Sequence, residues 1–182
     1  EYLPVMQDLE SALLNSGIAN GKPNRFLQIP TAAGEESRER LEFWQARGAE
    51  QARRIGTVQD FLPIFTREDA FNPEYISRVK DAALIYFSGG DPGYLANALR
   101  DTPLWAEIEK NWLAGASLAG CSAGAHLAAM CAREYAIASK LSGVVCEATM
   151  LIQFPWMATC CFSGSDRCDK AWVTASICAM DT

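Results

Sequence analysis

Apolar positions recur along this chain in two distinct rhythms. Between Leu3 and Gly17, Val5, Leu9, Leu13 and Leu14 return at helical spacing, and Gly17 offers a stop. The turn-rich Asn20-Gly21-Lys22-Pro23-Asn24 follows, and Arg25-Phe26-Leu27-Gln28-Ile29 then reads as a short strand ended by Pro30. Beyond the small-residue loop Thr31-Ala32-Ala33-Gly34, a long charged helix is predicted from Glu35 to Ile55, and a second strand over Thr57–Ile64. Thr66-Arg67-Glu68-Asp69 resembles a helix cap, because a Ser/Thr with a carboxylate just downstream satisfies free backbone donors.

The most continuous apolar run is Ala82–Phe87, which stops at Ser88-Gly89-Gly90-Asp91-Pro92. Helices over Gly93–Leu99 and Leu104–Leu113, a buried strand over Gly115–Gly120 and a small-residue helix over Ala123–Ala138 complete the regular part. Strands alternating with helices at these distances form parallel βαβ units, with helices covering both faces of one sheet. The fold class expected is therefore α/β. From Phe154 both rhythms fail, and Cys160, Cys161, Cys168 and Cys178 crowd the end. The division expected is an α/β hydrolase-type domain over 1–153. Residues 154–182 are read as an irregular Cys-rich segment, either a cap or the divergent end of the same domain.

Composition narrows the classes of function. The chain has 182 residues, enough for one domain with its own core. Its net charge is -6, and the only adjacent basic pair, Arg53–Arg54, suits a solvated helix face better than a phosphate track. Nucleic acid and anionic membranes are disfavoured as partners. No apolar run approaches the roughly 18–20 residues of a membrane span. The chain starts Glu1-Tyr2-Leu3-Pro4, without Met or a signal-type stretch, and is read as processed, trimmed or a fragment. Seven cysteines, with Cys121, Cys131 and Cys146 in core-like segments, fit free thiols in a reducing cytoplasm. Cys160-Cys161 with Cys168 lacks paired C-x-x-C spacing, and with one histidine in the chain a zinc site is disfavoured.

Chemistry concentrates at Gly120-Cys121-Ser122-Ala123-Gly124, a G-x-S-x-G sequence with an apolar strand before it and a helix after it. A nucleophile on such a strained turn needs small neighbours so that the chain can reverse sharply. Its hydroxyl then projects above the sheet, and the helix N-terminus favours developing negative charge. Cys121, one position before the turn's centre, is expected to point into packing. Paired glycines at Gly89-Gly90 let backbone N–H groups face a ligand as an oxyanion hole. The Thr31–Glu36 loop, the Gly89–Asp91 loop and the Ser122 turn all follow strands, so they share the carboxyl edge where open parallel sheets bind ligands.

The combination of Leu27-Gln28-Ile29-Pro30-Thr31-Ala32, Tyr86-Phe87-Ser88-Gly89-Gly90-Asp91 and Leu118-Ala119-Gly120-Cys121-Ser122-Ala123-Gly124-Ala125 resembles peptidase family S51. That family includes dipeptidase E and cyanophycinase and belongs to the class I glutamine-amidotransferase-like proteins. The likeness runs from Tyr2 to Ser142. It implies a flavodoxin-like three-layer sandwich with a mainly parallel sheet, a serine nucleophile, and no metal or organic cofactor. Gly90 and the backbone of Ala123 match the family's oxyanion donors. The family's histidine, well downstream of the serine, aligns with Gln153, and glutamine is no general base.

The only histidine, His126, lies four residues after Ser122, about one helical turn along. It is the candidate base, directly or through water, and a structural histidine on a packed helix is the other reading. An orienting carboxylate is sought among Asp91 and Glu35, by strand-end position, and Glu134 and Glu147, by sequence distance. The function expected is a cofactor-free serine hydrolase. Its substrate is a peptide or isopeptide bond beside an acidic residue, which the resemblance favours, or a simple ester, which the turn alone equally allows. A catalytically impaired relative that binds a ligand or partner is the rival, and a true α/β-hydrolase is a third possibility. The partner expected is a small molecule or short peptide, with a homodimer left open.

Overall fold

The computed structural model describes residues 4–128, residue 131 and three short stretches, 148–150, 159–163 and 171–173. The chain opens with α1 (Pro4–Ala19), β1 (Arg25–Ile29) and α2 (Arg38–Arg54), followed by β2 (Val58–Phe61) and α3 (Pro73–Val79). β3 (Leu84–Phe87), α4 (Pro92–Leu99), α5 (Pro103–Leu113) and β4 (Ser117–Cys121) follow, and a further helix starts at residue 123. Strands β5 (Ala148–Met150), β6 (Thr159–Ser163) and β7 (Ala171–Val173) come last.

The main sheet has the order β2-β1-β3-β4-β6. β1 pairs in parallel with β2 and β3, β3 pairs in parallel with β4, and β6 closes the edge antiparallel to β4. The order 2-1-3-4 of the parallel strands is that of a flavodoxin-like doubly wound sheet. β5 and β7 pair in parallel in a separate ladder. The segment expected to be irregular after Phe154 thus supplies a strand to the main sheet, with Gly120 opposite Cys160 and Cys121 opposite Thr159.

Strand side chains alternate between faces, and that alternation divides the core in two. Leu27, Ile29, Ile85, Phe87 and Leu118 face one side with Leu95 and Leu99 of α4 and Leu104, Ile108 and Trp112 of α5. Phe26, Leu84, Tyr86, Ala119 and Cys121 face the other, with Leu13 and Leu14 of α1 and Ala52 of α2. Ala123, Leu127 and Cys131 join the first group, so the helix after β4 packs on the α4–α5 side.

Helix starts follow local chemistry. Ser37 caps α2, accepting from the Arg40 N–H at 3.3 Å, so the helix begins three residues beyond the predicted Glu35. β2 ends at Phe61, short of the predicted Ile64, where Pro63 has no N–H to give a ladder. Asp69 does not cap a helix starting at Thr66. Its carboxylate accepts from the backbone N–H of Phe65 and Thr66, both at 2.9 Å, and holds a 3-10 turn over Glu68–Phe71. The helix the pattern missed, α3, follows with Asn72 as cap and Pro73 in its first turn.

Candidate active site

The turn after β4 is built by steric necessity. Ser122 holds a left-handed backbone, φ 50, which a residue with a side chain adopts only under constraint. A Cβ on Gly120 would run into the Gly124 backbone, and one on Gly124 would strike the Phe87 carbonyl oxygen at the end of β3. Only glycine at both positions lets the reversing chain pass that close to its neighbouring strand. Ser122 itself is exposed, whereas Cys121 is 4% exposed and faces the α1–α2 layer. Burial pushes the Cys121 thiol up from its ordinary value. Contact with the Tyr86 side chain and the Gly89 backbone, and the Arg47 charge, act the other way, and the Glu10 charge adds to the rise. A protonated, buried thiol is a poor nucleophile.

The loop after β3 lies against this turn. A Cβ on Gly89 would sit 3.3 Å from the Ser122 Cβ and 3.0 Å from Cη2 of Trp44. Gly90 has φ 142 and packs on the Ala32 backbone of the loop after β1, whose carbonyl accepts from the Asp91 N–H at 2.8 Å. The three strand-end loops named from sequence therefore meet on one edge. Ala123 opens the helix behind Ser122, where first-turn N–H groups have no intrahelical partner.

His126 is exposed, one turn along that helix. Its Nδ1 lies 3.3 Å from the backbone carbonyl oxygen of Ser122, which also accepts the His126 N–H at 3.1 Å. Among the described residues no hydrogen bond joins the imidazole to the Ser122 hydroxyl. Asp91 is occupied as the α4 cap, its Oδ1 accepting from the Tyr94 N–H at 2.6 Å. Glu35 is exposed on the loop leading to α2 and lies near Tyr94. Burial raises the Tyr94 phenol from its ordinary value, and the charges of Glu35, Glu68 and Asp69 add to the rise. Glu134, Glu147 and Gln153 lie outside the described residues.

Sequence reasoning missed Trp44. Its indole flanks Gly89, and its backbone carbonyl accepts from Gln28 Nε2 at 2.8 Å. The same Gln28 amide donates to Ser88 Oγ at 2.9 Å, and Gln28 Oε1 accepts from Gln59 Nε2 at 2.6 Å. This buried network fixes α2 against the ends of β1 and β3. No sequence pattern announces it, since Trp44 reads as one more apolar position on an amphipathic helix.

Among the described residues no helix is long and apolar enough to cross a membrane, and Cys121 and Cys131 are free thiols. Comparison with curated proteins gave no match. Among solved structures, the chain is similar to the crystal structure of a peptidase from an acI-B1 Actinobacterium, with 62% sequence identity and a TM-score of 0.66. The match covers 69% of this chain and 51% of that one, so the chain spans about half the length of that peptidase. The model of peptidase family S51 matches residues 5–152, most of the chain, and the chain belongs to that family.

Proposed function

We propose that the chain is a serine hydrolase of the S51 type, cleaving a peptide or isopeptide bond next to an acidic residue, with Ser122 as nucleophile. The observation that carries this reading is the left-handed Ser122 backbone, exposed at the end of β4 and hemmed in by Gly120, Gly124 and Gly89. Strain of this kind persists where the surrounding structure enforces it, and a nucleophile's turn is one such place. Ser122 Oγ attacks the acyl carbon and forms the C–O bond, and the negative charge passes to the carbonyl oxygen. The N–H groups of Gly90 and Ala123 receive that charge. Collapse of the adduct expels the amine with a proton, and water then cleaves the acyl-serine ester.

His126 is the proposed proton acceptor, one turn from Ser122. With Nδ1–H donating to the Ser122 carbonyl, the neutral imidazole keeps its lone pair on Nε2. The same contact favours a second reading, a relative without a working base that binds a ligand or partner, because the ring is engaged by the carbonyl and not by the hydroxyl. A simple ester is the other substrate class the turn allows. The chemistry belongs to the 1–153 unit, and 154–182 is the divergent end of the same domain, as the pairing of residues 159–163 with β4 supports. A reducing cytoplasm suits the free thiols of Cys121 and Cys131.

The test is labelling with a fluorophosphonate probe, followed by peptide mapping. Ser122 is expected to carry the probe, and Ser122→Ala to abolish labelling and lower turnover by about a thousandfold or more. A folded protein that leaves Ser122 unlabelled gives the ligand-binding reading instead.

A further inference from the structure

We propose that Trp44 and Arg40 of α2 form the wall that holds the substrate beside Ser122, the indole packing on its apolar part and the guanidinium taking a carboxylate. The inference rests on Ser122 being the reacting centre. Gly89 has no side chain, and the space its Cβ would fill is bordered by both the Trp44 ring edge and Ser122: a Cβ there would lie 3.0 and 3.2 Å from two indole carbons and 3.3 Å from the Ser122 Cβ. The ring is held in place. Gln28 bonds the Trp44 carbonyl, and Phe43 meets the indole edge-on, with ring centres 5.4 Å apart.

Arg40 stands one turn earlier on α2, in the first turn of the helix, just beyond the Thr31–Glu36 loop. Residues four apart share a helix face. Its guanidinium carbon lies 5.3 Å from the centre of the Trp44 ring and 4.7 Å from that of Phe43, so the group rests on an aromatic surface. Nε is taken by Glu36 at 3.2 Å, and the side chain is half exposed. Among the described residues the two terminal nitrogens carry no hydrogen bond, and they present the paired donors that match a carboxylate. The chain carries a net charge of -6, and a guanidinium resting on the ring that borders Ser122 is a local positive group for an anionic substrate to meet. Glu36 is the group that competes with an incoming carboxylate.

The experiment compares an aspartyl p-nitroanilide with its asparaginyl counterpart, which has the same shape and no charge. Arg40→Gln is expected to lower kcat/KM for the aspartyl compound about tenfold, through KM, and to leave the asparaginyl compound within about twofold. Glu36→Gln is expected to lower KM for the aspartyl compound alone, and Trp44→Ala to raise KM for both. Equal loss on both compounds in Arg40→Gln, or no loss on either, overturns the proposal. Calorimetric binding of Asp-Leu and Asn-Leu analogues with reduced peptide bonds separates this outcome from failure of the nucleophile. Ser122→Ala should keep a preference for the acidic analogue that Arg40→Gln loses. Equal binding of the two analogues by the parent chain overturns the wall, whereas preferential binding by a chain that fluorophosphonate leaves unlabelled retains the wall and removes the nucleophile.

Discussion

Adjacent residues at the end of β4 are sent to opposite fates by strand alternation. Cys121 points into the α1–α2 layer beside Tyr86, and Ser122 is exposed on the carboxyl edge. That split was legible in the sequence, because the period of two and the elbow together leave only one position outward. Asp91 was not: its strand-end place suggested a catalytic carboxylate, and the structure shows its Oδ1 accepting from the Tyr94 N–H as the α4 cap. Cys121 also gives a pH signature. Its folded thiol is raised, chiefly by burial, so the folded state holds the proton more tightly than the unfolded chain. The resulting stability is fully present below the unfolded thiol range, about 8.5, and is lost as pH rises through it toward the higher folded value. Urea midpoints at pH 7.5 and 9.5 check this in the parent and in Cys121→Ala. The parent should lose more than the variant, which cannot form a thiolate. Tyr94, also raised by burial, is common to both proteins and cancels in the comparison. Equal losses would mean that the thiol ionises as readily in the folded protein as in the unfolded chain.

Secondary-structure elements were readable where burial is complete. β1, β3 and β4 are almost wholly buried strands at the centre of the sheet, and their positions in the sequence pattern match the fold to within two residues. α3 escaped because a seven-residue helix with one buried residue, Val79, shows too little periodicity. Its Asn72-Pro73 start carried the usable signal. β6 escaped because Thr-Cys-Cys-Phe-Ser has neither alternation nor an apolar run. The elbow, by contrast, is an element whose residues state their own reason. Gly124→Ala is expected to cost about 1–3 kcal/mol, the usual penalty of overpacking, since its Cβ meets the Phe87 carbonyl oxygen rather than a flexible side chain. Relief requires β3 and the elbow to separate, so fluorophosphonate labelling of Ser122 should fall together with the urea midpoint. A variant of parental stability and parental labelling would show that the strand and the elbow are not in the contact described.

At the scale of the molecule, the sheet carries a buried amide at each end, and the two should behave differently. At the amino end, Asn111 of α5 donates to the carbonyls of Val79 and Ala82 at 2.8 and 3.1 Å and accepts from Lys22 Nζ at 2.6 Å. It ties α3, the approach to β3 and the loop before β1 together, far from the elbow. At the carboxyl end, Gln28 bonds Trp44 of α2, Ser88 after β3 and Gln59 of β2. Asn111→Ala and Gln28→Leu each strand buried polar partners, and each should cost about 1–3 kcal/mol. Only the second frees the Trp44 carbonyl and loosens the ring that flanks Gly89 and Ser122. Turnover per folded molecule, measured well below the melting range of both variants, is therefore expected to stay at the parental level in Asn111→Ala. In Gln28→Leu it should fall several-fold, with KM rising as the wall loses its place. Fluorophosphonate labelling rates give the same comparison without a substrate. If both variants lose stability and neither loses activity, the Gln28 network holds the fold alone and the site does not depend on it. If Asn111→Ala loses activity as well, the two ends of the sheet are coupled through β3, and the elbow is not the locally determined element that Gly120 and Gly124 make it.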